Sequence, residues 1–208
     1  MSGANGLERA LGSLGLALAA AQIERFGRYL DLLEKWNRVY NLTAIRGRER
    51  MVTHHLLDSL AVLPHVQGPR VLDVGSGAGF PGIPLAIASP ELQVTLLDAS
   101  QKKTAFLRQA VAELRLSNAA VETQRVESWE TSARFETVAA RAFSELAELV
   151  AASGRLLAPG GIIAALKGAQ PHDELERMPR GFRVVNVVKL AVPGLDAERH
   201  LVIVAAHA

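Results

Sequence analysis

Apolar residues recur every three or four positions through residues 22–40, as Ile23, Phe26, Leu30, Leu33 and Trp36. Glu24, Arg25, Arg28, Asp31, Glu34, Lys35 and Arg38 fill the intervals. This spacing lines the apolar set along one stripe and predicts an amphipathic helix lying on a core. Residues 41–43 interrupt it, and a second amphipathic stretch over 48–63 is stopped by Pro64. Residues 1–6 are small and polar and predict a loose leading segment. From residue 67 the rhythm changes to short apolar runs alternating with helical stretches. Strands are predicted over 70–74, 93–97, 119–123, 137–140 and 162–166, with helices over 81–88, 101–116 and 144–157. Alternation of this kind means a parallel sheet with helices on both faces. The last two runs, 184–192 and 200–206, are strands with only a short loop between them, which predicts an antiparallel hairpin.

The chain is therefore read as α/β, with a helical N-terminal extension over 1–66 packed on a core over 67–208 that forms a single globular unit. The predicted sheet is seven-stranded and mostly parallel, closed by one antiparallel strand. That is the Rossmann-like pattern of class I methyltransferases dependent on S-adenosylmethionine (AdoMet), whereas an ordinary dinucleotide-binding sheet is all parallel. Its 208 residues suffice for one sizeable core. There are no cysteines, which excludes disulfides, thiolate metal sites and a cysteine nucleophile for attack on a pyrimidine ring carbon. No apolar run approaches the roughly 18 residues of a membrane span, and no basic leader precedes 14–21, so a cytoplasmic protein is expected. The formal net charge of +2 and pI of about 9.2 are compatible with a polyanionic partner without demanding one.

The strongest motif follows Val71-Leu72: Asp73-Val74-Gly75-Ser76-Gly77-Ala78-Gly79. A glycine turn at the carboxyl end of a strand is where such sheets bind ligands. Gly77, Gly79 and Gly82 also fit a dinucleotide fingerprint. Asp73 ahead of the glycines, and Pro81 and Pro84 crowding the helix start where a pyrophosphate would want free amides, favour AdoMet. A tight turn holding no ligand is the alternative. Asp98 ends the next strand, where a carboxylate can accept hydrogen bonds from both ribose hydroxyls; a solvated strand-end acid is the alternative. Pro159-Gly160-Gly161 is read as a turn without chemistry.

The strand ending at Arg141 should lie beside the glycine-loop strand, with its tip toward the methyl group. Methyltransferases acting on exocyclic amines place an Asn/Asp-Pro-Pro-aromatic motif there; this chain has Arg141-Ala142-Phe143 instead. Arginine cannot serve as a base, which points to an acceptor with no proton to lose, such as guanine N7. Catalysis is then alignment, not proton transfer. Arg141 could hold the methionine carboxylate of AdoMet or an RNA phosphate, or form a surface ion pair. Because N7 is buried in the deep groove of an A-form helix, the target base should be unpaired or flipped out. The candidate RNA-binding residues are Asn41, Arg46, Arg48, His55, Lys102, Lys103, Lys167, Arg199 and His200, several of them expected at the carboxyl edge of the sheet. His54, His55 and Asp58 could be metal ligands, but no other motif supports this and no metal is expected.

The blocks Leu32-Leu33-Glu34-Lys35-Trp36-Asn37, Tyr40-Asn41-Leu42-Thr43, His55-Leu56-Leu57-Asp58-Ser59, residues 73–84 and Leu97-Asp98 form one set. Arg125-Val126-Glu127, Arg141-Ala142-Phe143, Ala165-Leu166-Lys167-Gly168 and Glu198-Arg199-His200-Leu201 extend it. In these blocks the chain closely resembles the ribosomal small-subunit methyltransferase G family, also called glucose-inhibited division protein B. The resemblance implies a bacterial enzyme that uses AdoMet to make N7-methylguanine in the decoding-region loop of 16S rRNA, and whose loss gives low-level streptomycin resistance. It also implies cofactor contacts at Gly75, Phe80, Val126, Glu127 and Arg141, with Val126-Glu127 holding the adenine. Asp73, Gly77, Gly79 and Asp98 complete the candidate cofactor site. Gln101-Lys102-Lys103 departs from the family's frequent Gly-Lys-Arg, and lysine cannot make arginine's bidentate phosphate contact. The expected partner is 16S rRNA, within the 30S subunit or an assembly intermediate, acted on by a monomer. Two alternatives are a methyltransferase acting on another base, a small molecule or a protein, and a non-catalytic RNA-binding protein.

Overall fold

The computed structural model describes residues 4–207 apart from 142, 144, 170 and 176. The chain opens with α1 (Ala4–Gly12) and α2 (Ala20–Tyr40), which stops at Asn41 in the left-handed conformation. A second helical run is built of α3 (Arg48–Met51), a π-helical turn (Val52–Leu57) and α4 (Asp58–Leu60). The core follows as β1 (Arg70–Val74), α5 (Gly82–Ala88), β2 (Gln93–Leu97), α6 (Gln101–Glu113), β3 (Ala119–Glu122) and β4 (Phe135–Arg141). It ends with α7 (Leu146–Ser153), β5 (Leu157–Lys167), α8 (His172–Leu175), β6 (Phe182–Lys189) and β7 (His200–Ala206).

The seven strands form one sheet in the order β3-β2-β1-β4-β5-β7-β6. The first five are parallel to one another, and β7 runs antiparallel to both β5 and β6. β1 sits centrally, and Val71 to Val74 are buried on both faces, as a strand covered by helices on each side must be. Val71 joins a cluster with Ile83, Leu96, Phe106 and Leu107; Leu72 and Val74 face a second one with Val138, Leu149 and Ile163. The first cluster also contains Leu7, Leu11, Phe26, Tyr29, Leu30 and Leu56. The N-terminal helices thus close one face of the sheet, not a core of their own.

Four expectations need correction. The leading segment is not loose from residue 4 onward: α1 buries Leu7, Ala10 and Leu11, and residues 1–3 lie outside the described ones. The 48–63 stretch is not one regular α-helix, because the π turn inserts an extra residue into its middle. Pro159-Gly160-Gly161 lies within β5, where a bulge shifts the register between Phe135 and Thr137 of β4. The helix expected over 144–157 gives α7 and a single 3-10 turn at Gly154–Leu156; residue 144 lies outside the described ones.

Candidate functional site

Residues Val71 to Val74 of β1 pair with Thr137 to Ala140 of β4, so the glycine turn and Arg141 emerge side by side at the carboxyl edge. Gly75 turns the chain with φ of 68°, and nothing stands within 4 Å of where a Cβ would be, so a ligand can approach its backbone. The Gly75 and Ser76 amides both donate to Leu97 O, at 2.8 and 3.1 Å, tying the turn to the end of β2. Asp98, 6% exposed, accepts from Gly77 N on one carboxylate oxygen (2.9 Å) and from Ser100 N on the other (2.8 Å). The same carboxylate lies 3.7 Å from Lys103 Nζ. A carboxylate held this way keeps lone pairs for further donors.

Asp73 differs from its expected role. Its side chain is wholly buried, and one oxygen accepts from Gly82 N at 2.9 Å, which pins the start of α5 under the turn. Burial pushes the carboxyl up to about 7. It shapes the turn from beneath. Gly82 is required there, since a Cβ would stand 2.3 Å from Leu96 Cδ2 and 2.7 Å from Asp73 Oδ2.

Phe80 is buried beneath the Arg141 guanidinium, whose Cζ stands 4.8 Å from the ring centre. His55 stacks on the same ring at 4.5 Å, and Tyr29 packs on it at 5.5 Å. The Tyr29 hydroxyl donates to Ala78 O, bracing the turn from α2. Arg141 donates to His54 O (3.1 Å), His55 Nδ1 (3.0 Å) and Asp58 Oδ2 (3.4 Å). Arg199 Nε donates to the other oxygen of Asp58 at 3.0 Å. His55 Nδ1 lies between Arg141 Nη2 at 3.0 Å and His54 O at 3.1 Å, while its Nε2 stands 2.7 Å from Thr43 Oγ1, so both ring nitrogens are engaged in either tautomer. Burial, with Arg141 beside it, lowers His55 to about 3, so the ring is neutral. Burial raises the Asp58 carboxyl, and the two arginines oppose the rise. Each basic atom within hydrogen-bond distance of Arg141 already has a partner, so the guanidinium is held in one orientation over Phe80.

Val126 is buried and Glu127 exposed on a 3-10 turn after β3. Asn41, Arg46 and Lys102 are exposed, and Lys103 is half-buried. Arg46 folds onto Asn41 Oδ1 at 2.8 Å. Arg48 is tied to Asp31, Glu34 and Gly27 O. Lys167 is drawn inward by Glu174 Oε2 at 2.7 Å. His200 is buried, with Nδ1 2.9 Å from Gly168 O. The structure thus brings Gly75, Gly77, Asp98, Phe80, His55, Arg199 and Arg141 to one edge, while Arg48, Lys167 and His200 serve internal contacts. Of the Arg141-Ala142-Phe143 block, Ala142 lies outside the described residues. Local spacing does not announce Thr43, which lies in the loop after α2, whereas Tyr29 and Asp58 are polar residues on the buried faces of amphipathic stretches.

The model of the family described as rRNA small subunit methyltransferase G matches residues 22–202. The chain is 55% identical over 196 residues to the ribosomal RNA small subunit methyltransferase G of Laribacter hongkongensis, covering 94% of this chain and 95% of that one. It is 54% identical to the protein of the same name from Chromobacterium violaceum, with 94% of each chain covered. Among solved structures it resembles the glycopeptide N-methyltransferase MtfA complexed with S-adenosyl-L-homocysteine, at TM-score 0.63 and 16% identity over 74% of this chain and 87% of that one. TrmN from Thermus thermophilus aligns at TM-score 0.58 and 19% identity, over 82% and 53% of the two chains. These two likenesses bear on the fold.

Proposed function

Because the chain belongs to the rRNA small subunit methyltransferase G family, we propose that it transfers the methyl group of AdoMet to N7 of a guanine in 16S rRNA. The residues present fit the cofactor. An open glycine turn at Gly75 admits a nucleoside, the Asp98 carboxylate has lone pairs for its ribose hydroxyls, and the apolar Val126 can cover its adenine beside Glu127. When bound, AdoMet supplies an electrophilic methyl on a sulfonium, whose positive charge passes to the acceptor with the methyl.

The observation that carries the N7 reading is the engaged state of the groups around Arg141. His55 Nδ1 is occupied, Asp58 is held between two arginines, and Arg141 itself cannot accept a proton. An acceptor that must lose a proton would meet no solvent-open base among them, because His55 and Asp58 are both buried, at 6% and 3% exposed. Guanine N7 attacks with an in-plane lone pair and needs only alignment. In this reading Arg141, fixed over Phe80, positions the carboxylate of the cofactor or a phosphate of the RNA. Arg46, Lys102, Lys103 and Arg199 form the cationic rim that receives phosphates. The substrate is the rRNA within the 30S subunit or an assembly intermediate, and the enzyme works as a monomer in the cytoplasm. Among the described residues no helix is long and apolar enough to cross a membrane.

The test is labelled methyl transfer to 16S rRNA and to 30S subunits from a strain lacking the enzyme, followed by mapping of the modified atom. N7-methylguanine is the expected product; a methyl on another base, or none, overturns the assignment.

A further inference from the structure

The proposed function leaves one side chain unused: Tyr40, the last residue of α2, which is 42% exposed beside polar Asn41. Its ring is not loose. It packs on Trp36, one turn earlier, at 5.0 Å, and Trp36 packs edge-on against the fully buried Phe106 of α6 at 5.6 Å. Phe106, Trp36 and Tyr40 form a ladder from the core to solvent whose outermost rung has a free face.

The register of the two helices locates that rung. Near the start of the contact, Arg28 of α2 donates to Glu113 O at the end of α6. Further on, Trp36 meets Phe106. Eight residues forward on α2 thus match seven residues back on α6, about 12 and 10 Å at the helical rise, so the helices run antiparallel. Four more residues on α2 reach Tyr40, and four fewer on α6 reach Lys102, each about 6 Å further along. Tyr40 therefore stands at the Lys102 end of α6, the end that follows Asp98. Asn41, the next residue, holds the Arg46 guanidinium on its Oδ1 at 2.8 Å. Three residues past Tyr40, Thr43 is hydrogen-bonded to His55, which is bonded to Arg141. An exposed aromatic ring backed by the core, at the Lys102 end of α6 and next in sequence to the residue that holds Arg46, has the elements by which proteins hold single-stranded nucleic acid.

We propose that Tyr40 is a stacking platform for an unpaired base of the substrate RNA flanking the target guanine, with Lys102 and Arg46 on the adjoining phosphates. The proposal rests on the rRNA reading above. A target guanine taken out of its stack leaves its neighbours unstacked too, and a ring that receives one of them recovers part of that loss. Stacking is indifferent to base identity, so Tyr40 supplies affinity, and sequence choice lies elsewhere.

The experiment measures affinity for 30S subunits, KM and kcat for methyl transfer to them, and the AdoMet Kd for wild type, Tyr40→Ala, Tyr40→Phe and Tyr40→Trp. Tyr40→Ala should weaken RNA binding by about 5- to 100-fold, raise KM more than it lowers kcat, and leave the AdoMet Kd unchanged. Tyr40→Phe and Tyr40→Trp should stay near wild type, because both keep a flat face. Should Tyr40→Ala fail to fold, Tyr40→Leu, which still covers Trp36 but cannot stack, carries the same comparison. Wild-type affinity in the alanine or leucine variant overturns the proposal, as does a phenylalanine variant as weak as alanine, which would assign the hydroxyl instead. Absence of transfer by the wild-type protein overturns the rRNA reading and this proposal with it. Normal wild-type transfer with an indifferent Tyr40 overturns this proposal alone.

Discussion

Asp73 and His55 are buried titratable groups displaced in opposite senses. Asp73 rises from an ordinary 3.8 to about 7, so the fold favours its protonated form. The stability this group confers is full below pH 4 and declines as pH rises toward 7. His55 falls from 6.5 to about 3, so the fold favours the neutral ring. Its contribution is full above pH 6.5 and is lost as pH falls toward 3. The two slopes oppose each other across pH 4–6.5, so these two contributions largely cancel there. Asp73→Asn should make stability rise with pH over that window, and His55→Gln should make it fall, each by up to about 1.4 kcal/mol per pH unit. Urea denaturation at several pH values measures this; equal slopes in all three proteins would remove the assigned burial effects. Asp58→Ala leaves two arginine head groups without their carboxylate and should cost about 3 kcal/mol. It should also lower methyl transfer, since Arg141 loses one of its anchors. The placement of Gly75, Asp98 and Arg141 at one sheet edge was legible because each ends or follows a short apolar strand. Asp58 and Thr43 were not, because their partners are Arg199 and His55, and long-range pairing leaves no mark on local spacing.

The π turn at Val52–Leu57 is the element that builds this cluster. Its wider coil turns His54 O, His55 and Asp58 together toward the end of β4. Deleting Thr53 would restore α spacing and rotate everything before the deletion by about 100° relative to everything after it. Either Arg48 then loses Asp31 and Glu34, or His55 loses Arg141. Helix content measured by circular dichroism should be almost unchanged, while methyl transfer drops by about a hundredfold. Retained activity would mean the turn is incidental. Apolar periodicity announced a helix here, because a single inserted residue shifts the stripe by less than the stripe's own width. The strands of the core were readable for the converse reason, since short apolar runs ending in Gly or Asp have few other solutions. The bulge in β5 escaped because Pro159-Gly160-Gly161 has the composition of a turn.

On the scale of the whole chain, the helices before residue 67 and the sheet after it share one apolar interior. Phe26, Tyr29, Leu30 and Leu56 lie in the same cluster as Ile83, Phe106 and Leu107. A fragment spanning 67–208 would uncover that face of α5 and α6. It should bind a hydrophobic dye and melt without a cooperative transition. A sharp transition in the fragment would show two separable units. Arg46, Lys102, the glycine turn and Arg141 belong to segments far apart in sequence, so the candidate site exists only once this interior has formed. The reversal of β7 has a practical corollary. The strand begins at His200, opposite Lys167 on the reactive rim, and runs to Ala206, back toward Ile162 at the far side. Anything tethered after His207 therefore hangs beneath the sheet, so anchoring the protein there to a bead or sensor chip leaves its upper surface open to a particle as bulky as a ribosomal subunit.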